Sequence, residues 1–359
     1  MLTRRQFAVM SLAGAGMAAA PAARADPPPP LIVAEGGAAE ERITDSRSAF
    51  EQAIGEGADF IQTNLVPSKE GALVARRGGE LSASTDVASR PEFADRRTTK
   101  TIDGASVTGW HSEDFTVAEL QSLFCREPDP RLHPQNARYQ GKEAVLSLAD
   151  VLQIARDGCV RTARTIGLCA RLIRPAHYTD LGLDVVSRLA SDLATDGYRY
   201  AAAAVWVQAS EAEALKTFGK LSPLRRMRLV GPSEAAGLGA QGLADIRAYA
   251  EAIGADQDLL IDPAAATFPA PTTLAMDAHN AGLLVFAGLA RPQNEFLPPL
   301  LRRGDRRSPD FPAMRGDVER MLVALFADGV DGVATTMPKE AAQARGAVID
   351  AIRNGAHRS

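Results

Sequence analysis

Histidine is scarce in this chain. Only His111, His133, His177, His279 and His357 occur in 359 residues, so little of the usual acid–base chemistry near neutral pH is available. Cysteine is scarcer still. Cys125, Cys159 and Cys169 match no zinc-ligand spacing. They allow at most one disulfide with one thiol left over, and at least two of them read as buried free thiols. There is no excess of positive charge: 40 Lys and Arg stand against 44 Asp and Glu, a formal net charge of −4. That excludes the basic field by which proteins gather nucleic acid. Past residue 25 no apolar run approaches the roughly 20 residues that span a bilayer, so the mature chain is expected to carry no transmembrane segment.

The N-terminus has what the rest lacks. Residues 1–25, MLTRRQFAVMSLAGAGMAAAPAARA, join a basic start to an apolar stretch and end in Ala-Arg-Ala, a small-x-small cleavage pattern. Arg4-Arg5 before Gln6-Phe7 is of the twin-arginine export type. The mature chain is therefore expected to begin near Asp26, in the periplasm or outside the cell. The prolines of DPPPP that follow make a stiff, helix-breaking leader.

From Leu31 onward, β-branched runs alternate with amphipathic helical runs. The sequence predicts strands at LIVAE (31–35), DFIQTNL (59–65), TIGLCARL (165–172), AAAVWVQ (202–208), MRLVG (227–231), DLLID (258–262), LLVFAGLA (283–290) and DGVATTM (331–337). Helical stretches separate them, several ending in the Gly that favours a helix C-terminus. Eight strands with intervening helices predict an α/β fold, a closed parallel (β/α)8 TIM barrel over residues 26–359. An open doubly wound sheet is the alternative. Residues 72–146 break the rhythm, being too long for an ordinary loop. They predict a small insertion after strand 2, its body at about 78–115, on the face where barrel enzymes keep their sites.

The order of framework words in this chain resembles the glycerophosphodiester phosphodiesterase family. GADFIQTNLVPSKEGALVARRGGELSASTDVA, GWHSEDFTVAELQSL, LSLADVLQIA and FADGVDGVATTMP carry the resemblance, which covers roughly residues 31–346. It implies a (β/α)8 barrel with an insertion after strand 2. It also implies a divalent cation such as Ca²⁺ or Mg²⁺, held by carboxylates at strand ends, and two histidines serving as general acid and base.

At the catalytic positions this sequence departs from the family. The first strand of the family ends in His-Arg-Gly; here Glu35-Gly36-Gly37 keeps only the last glycine. Thr44 stands at a glutamate position. The Glu-x-Asp metal ligands of strand 2 are Gln62-Thr63-Asn64. The second histidine, before an aspartate, is Arg77-Gly78. The Glu-Thr-Lys of strand 3 is Arg171-Leu172-Ile173.

Gln62 and Asn64 offer carbonyl oxygens without charge, whereas a hard divalent cation needs negative oxygens among its ligands. Arg171 adds a fixed positive charge in the same place. A like-charge contact at about 4 Å costs about 4 kcal/mol at an effective dielectric near 20, and about twice that for a divalent ion. Arg77 cannot protonate a leaving group, since its pKa exceeds about 12. No catalytic residue and no metal or other cofactor is therefore expected.

What remains reads as a metal-free pocket in which Glu35, Gln62, Asn64, Arg77 and Arg171 hold a phosphate or phosphodiester, with Glu35 a counter-charge to Arg171. Two alternatives stand beside it. Glu35 could plug a dead pocket through an ion pair, leaving a structural or interaction module whose protein partner the sequence does not name. Or Glu35, Glu40, Glu41 and Asp45 could form a shifted acidic metal site of an active hydrolase.

Overall fold

The computed structural model describes residues 28–356. The export signal read over residues 1–25 lies outside them. Eight parallel strands form the frame: β1 (Leu31–Glu35), β2 (Phe60–Pro67), β3 (Gly167–Leu172), β4 (Val205–Ala209), β5 (Arg225–Val230), β6 (Ala252–Asp256), β7 (Leu284–Ala290) and β8 (Gly332–Thr335). Strand β1 pairs with β8 on one side, Ile32 beside Val333, and with β2 on the other, Glu35 beside Gln62. The sheet therefore closes on itself as a (β/α)8 barrel.

Each strand is followed by a helix that packs outside it. These are α1 (Arg47–Gly55), α2 (Leu148–Thr162), α3 (Val185–Thr195), α4 (Ala212–Leu221), α5 (Ala240–Arg247), α6 (Leu274–Asn280), α7 (Val318–Ala327) and α8 (Pro338–Ala356). Local sequence starts several of them. The Ser46 hydroxyl accepts from the Ala49 N–H. Ser147 and Asp150 form a reciprocal capping box at α2. Asp184 accepts from the Ser187 N–H at α3.

Along each strand, alternate side chains point outward to the helices or inward to the lumen. The inward set at the floor is Val33, Phe60, Cys169, Trp206, Met227, Ala252 and Phe286, all buried. The Trp206 and Phe286 rings meet edge to face, 5.4 Å between centroids. Bulky floor residues make this end a packed core and leave only the opposite end open.

The segment between β2 and α2 runs from residue 68 to residue 147. It holds a short strand, Leu73–Ala75, antiparallel to the end of β2, and an exposed hairpin of Thr98–Ile102 with Ala105–Gly109. Phe93, Trp110, Phe115 and Leu120 give it a core continuous with that of the barrel. The three cysteines are free, and Cys169 sits in the barrel floor.

One expected strand is corrected. Residues 258–262 do not form the sixth strand. That strand is Ala252–Asp256, and Gln257–Leu260 is a single helical turn opened by the Asp256 carboxylate, which accepts from the Asp258 N–H. The true strand reads AIGAD, with one β-branched residue, because the lumen has no room there. A Cβ on Gly254 would come within 2.5 Å of Leu229 Cδ2. Leu260 and Ile261 are buried as core residues beyond the strand end.

Candidate functional site: an arginine-bearing barrel mouth

The C-terminal ends of the strands open on a cavity of about 540 Å³, and Glu35, Gln62, Asn64, Arg77 and Arg171 all line it. Register puts them there. Glu35 lies beside Gln62 at the β1–β2 seam. Asn64 lies beside Arg171, and Arg171 beside Gln208, across the next two seams. Arg77 arrives by a different route. The strand Leu73–Ala75 turns back along β2, and the Arg76 N–H donates to the Asn64 carbonyl at 2.9 Å. Alternation then separates two adjacent arginines. Arg76 is buried and donates to the carbonyls of Ala75, Ser84 and Asp45, while Arg77 is exposed on the cavity wall.

Glu35 and Arg171 form an ion pair at 3.7 Å, Oε1 to Nη1, with both side chains partly exposed. That separation is beyond hydrogen-bond range, so the N–H groups of Arg171 remain available to a ligand. The pair leaves the cavity open. Glu35 can face the mouth because the chain behind it turns on Gly36 and Gly37, at φ +66° and +88°. At Gly37 a Cβ would lie 2.4 Å from the backbone carbon of Ala49. Helix α1 thus seats directly on this turn, which only glycine permits.

The acidic group after β1 does not converge. Glu40 accepts from the Thr336 hydroxyl and the Gln293 amide at 2.7 and 2.8 Å. Glu41 turns to Gln52 on α1. Asp45 is wholly buried behind β2, accepting from the Thr63 hydroxyl, and burial above all pushes its pKa up to about 6. Among the described residues no three His, Cys, Asp or Glu side chains gather as a metal-ligand set.

Neither of the histidines nearest to this region in sequence lines the mouth cavity. His111 is buried in the inserted segment, with no hydrogen bond to either ring nitrogen. His177 packs edge to face on Tyr178.

Arg291 and Gln208 escaped the sequence reading. Arg291, just past β7, lines both the mouth cavity and an adjoining one of about 330 Å³. Its guanidinium lies over the Phe296 ring, 3.2 Å from the centroid, and its Nε is buried without an acceptor. Burial, with Arg77 adding to it, lowers its pKa. The signal was positional: an arginine directly after a barrel strand belongs to the mouth. Gln208 pairs in register with Arg171, and its Oε1, like Asn64 Oδ1, is buried without a donor.

His133 was also missed. It lines the adjoining cavity, its Nδ1 3.0 Å from Glu127 Oε1 and its Nε2 3.4 Å from Glu40 Oε1. Burial alone would lower its pKa, but hydrogen bonds and charge from Glu127 and Glu40 outweigh burial and raise it to about 9.

Fold and site together define a (β/α)8 barrel with an arginine-bearing mouth. The model of the glycerophosphoryl diester phosphodiesterase family matches residues 37–297, and the chain belongs to that family. A glycerophosphodiester phosphodiesterase of Arabidopsis thaliana is 26% identical over 271 residues, spanning 69% of this chain and 71% of that protein. A longer one from the same plant is 24% identical over 82% of this chain, but this chain spans only 37% of its length. Among solved structures, a Silicibacter pomeroyi protein described as a glycerophosphoryl diester phosphodiesterase superposes with a TM-score of 0.62 at 16% identity, covering 89% of this chain and 94% of its own. An Oleispira antarctica phosphodiesterase, solved with its product sn-glycerol-3-phosphate, has a TM-score of 0.56 at 15% identity, covering 88% and 96%. At these identities the likeness is one of fold.

Proposed function

We propose that this barrel binds phosphate or phosphodiester groups at its mouth without the metal-dependent hydrolysis of its family, and that it does so after export by its twin-arginine-type leader. The observation that carries the reading is the arginine set. Arg77, Arg171 and Arg291 share one cavity wall, and among the described residues only Arg171 has a carboxylate partner, at 3.7 Å. Guanidinium groups with unused N–H donors are well-suited partners for phosphate oxygens. Asn64 Oδ1 and Gln208 Oε1, buried and unpaired, are acceptors for the hydroxyls of a ligand's alcohol moiety.

The family's divalent cation does not fit this donor set. Gln62 and Asn64 bring no charge, Arg171 brings the wrong sign, and Glu35 is already paired with it. The positions of the family's two histidines hold Arg77 and Glu35. The plugged alternative is disfavoured by the cavity that stays open beside the Glu35–Arg171 pair.

Calorimetry with glycerophosphodiesters and with inorganic phosphate tests binding. Heat in the wild type that is lost in Arg171→Ala supports the reading, and no heat at millimolar ligand in either protein overturns it. Turnover of a glycerophosphodiester with added Ca²⁺, Mg²⁺ or Mn²⁺, lost on Glu35→Gln, would replace it with an active hydrolase. Mass analysis of the exported protein tests the leader, with a mature N-terminus expected near Asp26.

A further inference from the structure

We propose that the mouth selects phosphate monoesters, as dianions, over phosphodiesters. This deepens the anion-binding reading above and rests on it. Three guanidinium groups face the cavity, from β3, from the loop after the short strand Leu73–Ala75, and from the end of β7. Against them stands Glu35, too far from Arg171 to take up its N–H donors. The other carboxylates that face this set are Glu234, paired with Arg228 at 2.5 Å, and Asp256, which accepts from the Asp258 N–H at 2.9 Å and keeps its charge. Across the adjoining cavity stand Glu295, Glu127 and Asp129, with Glu40 held by Thr336 and Gln293.

A phosphodiester carries one negative charge on two non-bridging oxygens, which a single arginine fork satisfies. It would leave two cations facing each other in a half-enclosed site. A monoester above its second ionisation, near pH 6, carries almost two charges on three terminal oxygens. It can therefore engage Arg77 and Arg291 together as well as Arg171. Arg291 is the group most in need of such a ligand. Its Nε is buried without an acceptor, and one face of its guanidinium is covered by Phe296. Arg77 beside it makes no ion pair among the described residues, although Glu35 lines both cavities with it.

The test is paired calorimetry with sn-glycerol-3-phosphate and glycerophosphoglycerol, a diester whose second glycerol is uncharged, at about pH 5 and about pH 8, either side of the second phosphate ionisation. Protonation of the protein's own groups at the lower pH makes the site more positive and favours the more highly charged ligand. A ratio that shrinks there therefore reports the loss of charge on the monoester. The expected ratio at about pH 8 is roughly tenfold or more in favour of the monoester, shrinking several-fold at about pH 5. Arg77→Gln and Arg291→Gln should each reduce the ratio. Arg77 is exposed, so that variant reads out even if the Arg291 variant folds poorly.

Equal affinities at about pH 8 would overturn the selectivity and leave the anion-binding reading standing. Binding of neither ligand at millimolar concentration would overturn both.

Discussion

His133 Nδ1 lies 3.0 Å from Glu127 Oε1 in a part-buried contact beside the barrel mouth. Glu127 also accepts from Asn136, which donates to the Ala39 and Arg42 carbonyls behind β1. On the far side of the ring, Glu40 links to Thr336 after β8 and Gln293 after β7. One imidazolium therefore joins the inserted segment to both ends of the barrel chain.

Its titration should be visible in stability. The folded pKa of His133 is raised to about 9, above the unfolded value near 6.5. The contribution is thus fully present below about pH 6.5 and disappears as pH rises through about 9, on the order of 2–3 kcal/mol in all. Urea midpoints between about pH 6 and about pH 10 should fall in the wild type, with a flatter profile in His133→Gln. Parallel profiles would show that the imidazolium contributes nothing.

Glu35→Gln is expected to tighten phosphate binding several-fold, since it removes the one carboxylate that shares Arg171. Stability should change by less than about 1 kcal/mol, as is usual for a partly exposed pair. Weaker phosphate binding in this variant would make Glu35 a ligand contact and not a competitor.

Restoring the family's charges should restore its affinity for metal. The triple variant Gln62→Glu, Asn64→Asp, Arg171→Glu places carboxylates at adjacent register positions on β2 and β3. Calcium titration should give a dissociation constant of roughly 10⁻³–10⁻⁴ M or tighter, against no measurable heat in the wild type. Comparable binding by both proteins would mean that the cation uses other residues.

Gly37→Ala should destabilise the fold by about 3 kcal/mol, because it combines a positive φ with overpacking against Ala49. Urea denaturation measures this. A loss below about 1 kcal/mol would mean that α1 shifts freely on its seat.

Much of this was legible in the chain itself. Runs such as LIVAE, VWVQ and LLVFAGLA announce buried parallel strands through their continuous apolar character. Period-2 alternation then assigns Gln62 and Asn64 to one face. AIGAD was illegible because tight packing against Leu229 selects Gly254, which erases the β-branched signature. Arg291 was missed for a different reason. Its neighbours match no catalytic word, and its relation to Arg77 crosses more than 200 positions of sequence that only barrel closure brings together. The His133 contacts are likewise long-range, reaching Glu40 and Gln293 from the inserted segment.

Asn64, Arg171 and Gln208 are neighbours by strand register, with no hydrogen bond between their side chains among the described residues. Their side-chain partners lie elsewhere, Glu35 for Arg171 and Met227 Sδ for Gln208, so the mouth behaves as a set of separate fittings on a fixed rim. An engineer could rewrite what this barrel holds, one residue at a time, while the floor beneath continues to fold.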